Sequence, residues 1–198
     1  MRRAINDYPE SVDVDGTLYP VRSDYKNALL ILDAGDDMEL SQEECLAVQL
    51  NIFYRDFASV RRRPDLIKFI SAMTGFLRCG KQSIGSVTEI KTLDYRQDWQ
   101  YIVAAFQKDY GIDLSKTDDI HWWRFCALLN GLSEDNMITK IVGYRGVNLS
   151  DIKDKNMRKF YAKMKQTYML KTSQDEIDLE EQADLEFIRQ AELKRKTA

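Results

Sequence analysis

The chain has 198 residues, of which 44% are hydrophobic and 11% aromatic, and its formal net charge is -3 at pH 7. This size and composition suffice for one well-packed core, and the charge excludes nucleic-acid binding through the overall field of the protein. Three widely spaced cysteines and one histidine give no zinc-binding pattern and fit a reducing cytoplasm. No apolar segment reaches the roughly 20 residues of a membrane span, so we expect a soluble protein that is not secreted.

A β-hairpin is predicted over residues 11–21, where apolar and polar side chains alternate. Asp15 and Gly16 supply the two positive φ angles that a type I′ turn requires. Pro20 confines the second strand to a sheet edge or to its own last residue, because proline cannot donate a ladder hydrogen bond. The open edge of such a hairpin could add a strand from a neighbouring copy of the chain.

The same stretch also spells the nucleophile motif of haloacid dehalogenase-type phosphatases. In that chemistry Asp13 would attack phosphorus, Asp15 would handle the leaving-group proton, and Mg²⁺ would sit between carboxylates. The nucleophile of such a site follows a buried parallel strand, whereas residues 6–12 contain no apolar run. We therefore expect no enzyme, no cofactor and no metal site, and an Mg²⁺-dependent phosphatase remains a remote alternative.

Most of the chain after the hairpin is predicted to be helical, because it contains few prolines and its apolar residues recur at helical spacing. The predicted helices span residues 24–36, 41–57, 66–77, 99–111, 118–131, 133–143 and 151–171. Ser41 and Glu44 form a capping box at the start of the second helix, whose apolar stripe runs on to Phe57. Residues 80–93 carry two glycines and no stripe, and we expect a flexible connection there. The fold class is thus mainly α, with about six to seven helices after a small hairpin.

Caps and glycines set the expected helix ends in the second half of the chain. Gly111 is a left-handed stop for the fourth helix. Thr117 is the expected N-cap of the fifth helix, with Asp118 and Asp119 in its amide-rich first turn. The next helix is expected to begin at Ser133 and to end at Gly143.

A histidine and two tryptophans at residues 121–123 could form a proton shuttle or a stacking platform. The surrounding apolar residues, however, cover nearly the whole circumference of the predicted helix, which indicates a buried helix. His121 has no partner in the sequence that would complete a catalytic triad. The residues expected in the core are Trp99, Phe106, Trp122, Trp123, Phe125 and Leu129.

The predicted helix 151–171 has an apolar stripe and an opposite face rich in lysine. The stripe consists of Met157, Phe160, Tyr161, Met164 and Tyr168. Methionine and aromatic side chains suit a reversible partner contact, although packing inside the protein would use the same stripe. We interpret the lysines as a solvated face and expect no nucleic-acid binding.

The last segment of the chain is acidic, with seven acids and no base from Asp175 to Glu186. Residues 172–198 are predicted to be a charged tail, helical or disordered, attached to a single domain that covers residues 1–171. Alternatively, the acidic segment docks on the lysine-rich helix, in the same chain or in a neighbouring copy.

Four stretches between residues 94 and 170 carry a more specific signal than any motif above. They read DYRQDWQYIVAAFQKDYGIDL, HWWRFCALLNGLSEDN, KIVGYRG and FYAKMKQTYML. In this order they resemble the bacteriophage gene-product-fifteen family, small proteins of the tail modules of siphophages and prophages of Gram-positive bacteria. The family's layout, a hairpin followed by helices, is also similar.

This resemblance implies a tail assembly chaperone that coats the tape measure protein until the tail tube forms around it. It further implies an oligomer that contacts other tail assembly proteins in the host bacterial cytoplasm and is missing from the mature virion. A structural tail or connector component is the alternative function.

Overall fold

A computed structural model describes residues 8–81 and 91–171 of the chain. Its elements are β1 (Ser11–Val14), β2 (Thr17–Pro20), α1 (Tyr25–Gly35), α2 (Gln42–Phe53), α3 (Phe57–Arg61), α4 (Leu66–Leu77), α5 (Trp99–Tyr110), α6 (Trp122–Asn130), α7 (Met137–Gly146), a 3-10 helix (Leu149–Asp151) and α8 (Lys155–Thr167). The predicted fold class, mainly helical after an N-terminal hairpin, is confirmed. The described residues contain eight α-helices rather than six to seven, because α3 separates from α2.

The chain divides into two compact units, Met1–Gly146 and Val147–Ala198. The first unit contains the hairpin and α1 to α7, and the second contains the 3-10 helix and α8. Most of the predicted connection, residues 82–90, and the predicted acidic tail lie outside the described residues. The division into a domain and a tail at residue 171 therefore stays a prediction. No described helix is both long and apolar enough to span a bilayer.

The predicted hairpin forms, with β1 and β2 antiparallel and Val14 opposite Thr17, which is the register that a two-residue turn at Asp15 and Gly16 requires. Asp15 has φ 53° and Gly16 has φ 80°, as a type I′ turn requires. The Asp13 carboxylate accepts the Gly16 amide hydrogen at 2.8 Å, and Asp15 forms an ion pair with Lys68 at 2.6 Å. Asp13 thus lies on a two-stranded antiparallel ribbon and not at the end of a buried parallel strand.

The capping box at the start of α2 is confirmed: Ser41 and Glu44 exchange side-chain to backbone hydrogen bonds at 2.9 and 3.3 Å. The predicted extension of this helix to Phe57 is wrong. Tyr54 is extended and pairs with Val21 across an isolated β-bridge, so the chain leaves the helix after Phe53. Backbone pairing with the residue that follows the hairpin therefore outweighs the helical periodicity of this stretch.

The predicted start of the fifth helix near Thr117 is also wrong, because α6 begins only at Trp122. Residues 120–122 pair with the backbone of residues 23–25, where the Trp122 amide donates to Ser23 at 2.7 Å and the Tyr25 amide donates to Ile120 at 2.9 Å. An extended pairing of this kind cannot coexist with helical hydrogen bonds at the same amides.

Both predicted ends of the next helix shift towards the C-terminus, since α7 runs from Met137 to Gly146. Asp109 holds the preceding turn by accepting hydrogen bonds from the Ser133 amide at 2.8 Å and from the Asn136 side chain at 2.6 Å. Gly143 lies exposed inside the helix and does not end it. The predicted last helix is likewise shorter than expected, because α8 covers Lys155–Thr167 only.

The core of the first unit is built around stacked aromatic rings. Phe125 stacks with Tyr25, Phe106 and Trp122 at centroid distances of 5.0, 5.1 and 5.6 Å. Phe106, Trp122 and Phe125 are buried, while the other three expected core residues are partly buried and pack against the core: Trp99, Trp123 and Leu129. The indole N–H groups of Trp122 and Trp123 donate to the Leu77 and Phe76 carbonyls at the end of α4, each at 2.8 Å.

One ion pair lies inside this core. Arg145 of α7 donates to both carboxylate oxygens of Asp98, which directly precedes α5, at 2.5 and 2.9 Å. Their side chains are 8% and 2% exposed. The same guanidinium donates to the Thr92 carbonyl at 3.0 Å. The pair therefore joins α7 to the entrance of α5.

Candidate interaction surfaces

The helix α8 carries the predicted partner-binding stripe, and local hydrogen bonds fix its start. The Asp154 carboxylate accepts the Met157 amide hydrogen at 2.7 Å, which caps the helix. The Arg158 guanidinium donates to the Ile152 carbonyl at 2.6 and 2.9 Å, and Lys165 donates to the Val147 carbonyl at 2.9 Å. These bonds stabilise the helix within its own short unit.

No residue of α8 is buried. Within the stripe, Met157 is 49% and Phe160 is 47% exposed, whereas the other three predicted members are less exposed and partly buried: Tyr161, Met164 and Tyr168. Met169 follows the helix and is 67% exposed. It is not a member of the predicted stripe, because it does not continue the helical spacing of the other five residues. We use the name apolar patch of α8 for these three exposed residues, Met157 and Phe160 on the helix and Met169 two residues after its end.

The lysines of α8 divide into two groups. Lys155, Lys159 and Lys163 are exposed, in agreement with the interpretation of a solvated face. Lys165 instead donates a hydrogen bond to the Val147 carbonyl and is partly buried. The three exposed lysines of α8 are therefore accessible to solvent, whereas Lys165 is used within the unit.

His121 acts as the N-cap of α6. Its Nδ1 accepts the Trp123 amide hydrogen at 3.0 Å, and its Nε2 lies 3.0 Å from the Pro9 carbonyl oxygen, so the neutral ring carries its proton on Nε2. Tyr8 stacks on the ring at 4.9 Å. Burial lowers the pKa of His121 and outweighs the opposing effects of the Pro9 hydrogen bond and of the Glu10 and Asp24 charges. The ring thus has a structural use for each of its nitrogens.

A cavity of about 580 Å³ lies beside α3, in the first unit. Three arginines and one carboxylate, Asp56, are among its lining residues, together with Phe57 and Ala58. The arginines are Arg55, Arg61 and Arg62. We call this feature the arginine pocket. Arg61 and Arg62 are neighbours in the sequence, but only the fold adds Arg55, Phe57 and Ala58 to the lining of the same cavity.

Among the described residues, no group of three or more metal-binding side chains comes together. The fold is thus that of a helical protein whose noteworthy surface features are an apolar patch and a basic cavity. The chain matches the family described as Bacteriophage Gp15 protein over residues 5–170 and belongs to that family. Comparison with curated proteins and with solved structures gave no match.

Family membership confirms the resemblance drawn from the sequence motifs. The chain is a bacteriophage protein, and its family indicates a structural or tail-module role with contacts to other phage proteins.

Proposed function

We propose that the protein is a tail assembly chaperone that covers apolar helical segments of the tape measure protein while the phage tail is assembled. The apolar patch of α8 is the observation that carries the proposal. Met157, Phe160 and Met169 are 49%, 47% and 67% exposed, and no residue of α8 is buried. A long helical protein such as a tape measure would expose complementary apolar stripes before the tube encloses it.

Reversible binding is the physical requirement of this role, because the chaperone must leave when the tube forms. Methionine side chains adapt to many partner shapes, and a patch of three residues contributes modest affinity per copy. Several copies along one tape measure chain would supply the remaining affinity through multivalency. We therefore propose that the protein acts as an oligomeric coat in the host bacterial cytoplasm, that it is missing from the finished virion, and that it works without enzymatic activity.

The proposal is tested by co-expression of the full chain with tagged fragments of the tape measure protein of the same phage. The complex is captured through the tag, and its mass is measured by light scattering. We expect a soluble complex with several copies of the chain per fragment. Replacing Met157 and Phe160 by glutamate should abolish capture, since it introduces two charges into the apolar patch.

A matched control adds the same two negative charges to the polar side of α8, through Asn156→Glu and Gln166→Glu; both native residues are exposed. This variant should be captured as well as the unmodified chain. If both double variants bind equally, the patch is not the binding surface. If the fragments stay insoluble and the protein is found in purified virions by mass spectrometry, a structural tail or connector role replaces the chaperone role.

A further inference from the structure

We infer that the arginine pocket is a docking site for the acidic segment, residues 175–186, of a second copy of the chain. This inference concerns a surface in the first unit that the chaperone proposal does not use. A tape measure fragment could bind α8 whether or not the inference holds, so the two can fail separately.

The arginine pocket carries an excess of positive charge. Three arginines and one carboxylate line it, and that carboxylate is already engaged, because Asp56 accepts the Ser59 amide hydrogen at 3.2 Å. No ion pair of the described residues includes Arg61 or Arg62. An excess of uncompensated positive charge around one cavity attracts an anionic ligand.

The fold also orients one of the three guanidinium groups in advance. Arg55 donates through Nε to the Val21 carbonyl at 3.0 Å, which ties it to the residue after the hairpin. Its two terminal nitrogens have no acceptor among the described residues. A planar guanidinium binds a carboxylate through two parallel hydrogen bonds, and a fixed one loses less side-chain entropy on binding.

The chemistry of the acidic segment complements both parts of the pocket. Residues 175–186 contain seven acids and no base, and they intersperse Ile177, Leu179 and Leu185 among these acids. The carboxylates suit the arginines, while the aliphatic side chains suit Phe57 and Ala58. A nucleic acid would bring phosphates but no aliphatic groups, and it would meet the Asp56 carboxylate.

The lysine face of α8 is the competing site for the same segment. Its exposed lysines are distributed along a helix, whereas the three arginines line one cavity of about 580 Å³. Lysine binds carboxylates as a point charge without the paired geometry of arginine, and exposed single pairs contribute little. The pocket is therefore the better site.

The first experiment measures how fast phenylglyoxal modifies individual arginines of the full chain, with mass spectrometry as the readout. The unmodified chain is compared with a variant in which all seven acids of residues 175–186 become the corresponding amides. We expect Arg61 and Arg62 to react several-fold faster in the amide variant. Arg124 on α6, which is exposed, should react equally fast in both proteins. Raising the salt concentration should accelerate Arg61 and Arg62 in the unmodified chain alone.

Equal reactivity of Arg61 and Arg62 in the two proteins would overturn the inference. The inference would also be overturned if the acidic segment protected Lys159 and Lys163 from acetylation in place of the arginines, because the segment would then bind α8. A third contrary result concerns an added oligonucleotide. If it protected the arginines equally well in the unmodified chain and in the amide variant, the acidic segment would not be competing for the pocket. Protection of Arg61 and Arg62 should be lost on dilution, because it requires a second copy of the chain, and protection that survives dilution would also overturn the inference.

A second experiment measures directly whether the acidic segment binds the pocket. A fluorescent peptide of residues 173–190 is titrated into the full chain that carries the amide substitutions, and its anisotropy is followed. Arg61→Glu with Arg62→Glu should abolish binding, while Lys108→Glu with Arg124→Glu, an equal change in charge at exposed sites, should not. Circular dichroism checks that both variants are folded, and equal binding by both would contradict the inference.

Discussion

At the scale of residues, the buried ion pair between Asp98 and Arg145 is a contact on which the stability of the first unit depends. Taking both charges out of water is costly, and their two mutual hydrogen bonds, together with the bonds to the Thr92 carbonyl and from the Asp94 amide, contribute to offsetting that cost. The contact therefore favours the observed placement of α7 against the start of α5, because separating the two residues would leave buried charges without their counter-charge.

Removing one partner of this pair should therefore be severe. Arg145→Met leaves the Asp98 carboxylate buried without its counter-charge, and we expect the free energy of unfolding to fall by about 3–5 kcal/mol. Urea denaturation followed by tryptophan fluorescence measures the change. Asp98→Asn combined with Arg145→Met should recover most of the loss, since no charge remains; a loss below about 1 kcal/mol for the single variant would contradict the burial of the pair.

His121 gives a pH dependence that can be assigned to one residue, because it is the only histidine in the chain. Its folded pKa is lowered by burial, so the unfolded chain binds a proton more readily than the folded one. Stability is then complete above the unfolded pKa of about 6.5 and decreases as the pH falls through that value.

We expect the free energy of unfolding to drop between about pH 7.5 and about pH 5.5. His121→Asn keeps an acceptor for the Trp123 amide but cannot titrate, so it should flatten the profile in this range. Urea denaturation at several pH values measures both proteins. Identical slopes would show that carboxylates, not His121, set the pH dependence.

At the scale of elements, local signals predicted structure well wherever they needed no distant partner. The Asp15-Gly16 turn, the Ser41 and Glu44 capping box and the left-handed stop at Gly111 all formed as predicted, because each is satisfied within a few residues. The helix starts near residues 117 and 133 were wrong, because long-range hydrogen bonds hold those stretches away from the helix. Periodicity cannot reveal such bonds.

The same chemical change at two glycines should therefore have opposite effects. Gly16→Ala places a Cβ on a residue with φ 80°, where nothing lies within 4 Å, so backbone strain alone should destabilise the protein, by about 1–2 kcal/mol. Gly143→Ala also meets no neighbour but lies in α7, where it should stabilise by about 0.5–1 kcal/mol. Thermal denaturation of the two variants tests the signs, and equal signs would contradict this explanation.

At the scale of the whole molecule, the three tryptophans all lie in the first unit, so their fluorescence reports on that unit. Met157→Glu with Phe160→Glu removes no buried side chain, because both residues are about half exposed. We expect the urea midpoint measured by tryptophan fluorescence to stay within error of that of the unmodified chain. A lowered midpoint would mean that loss of tape measure capture reflects damage to the fold and not to the patch.

The sequence by itself determined the fold class, the hairpin, most helices and the family, since these depend on periodicity, turn chemistry and local motifs. It also indicated the stripe of α8, but not which of its members stay exposed. Only the tertiary structure decided that His121 caps a helix, that Asp98 meets Arg145 and that Arg55 joins Arg61 and Arg62 around one cavity. The physical reason is that long-range bonds place these residues. Asp98 and Arg145 are 47 residues apart, the pairing of residues 120–122 with residues 23–25 sets where α6 begins, and Arg55 is bonded to the Val21 carbonyl.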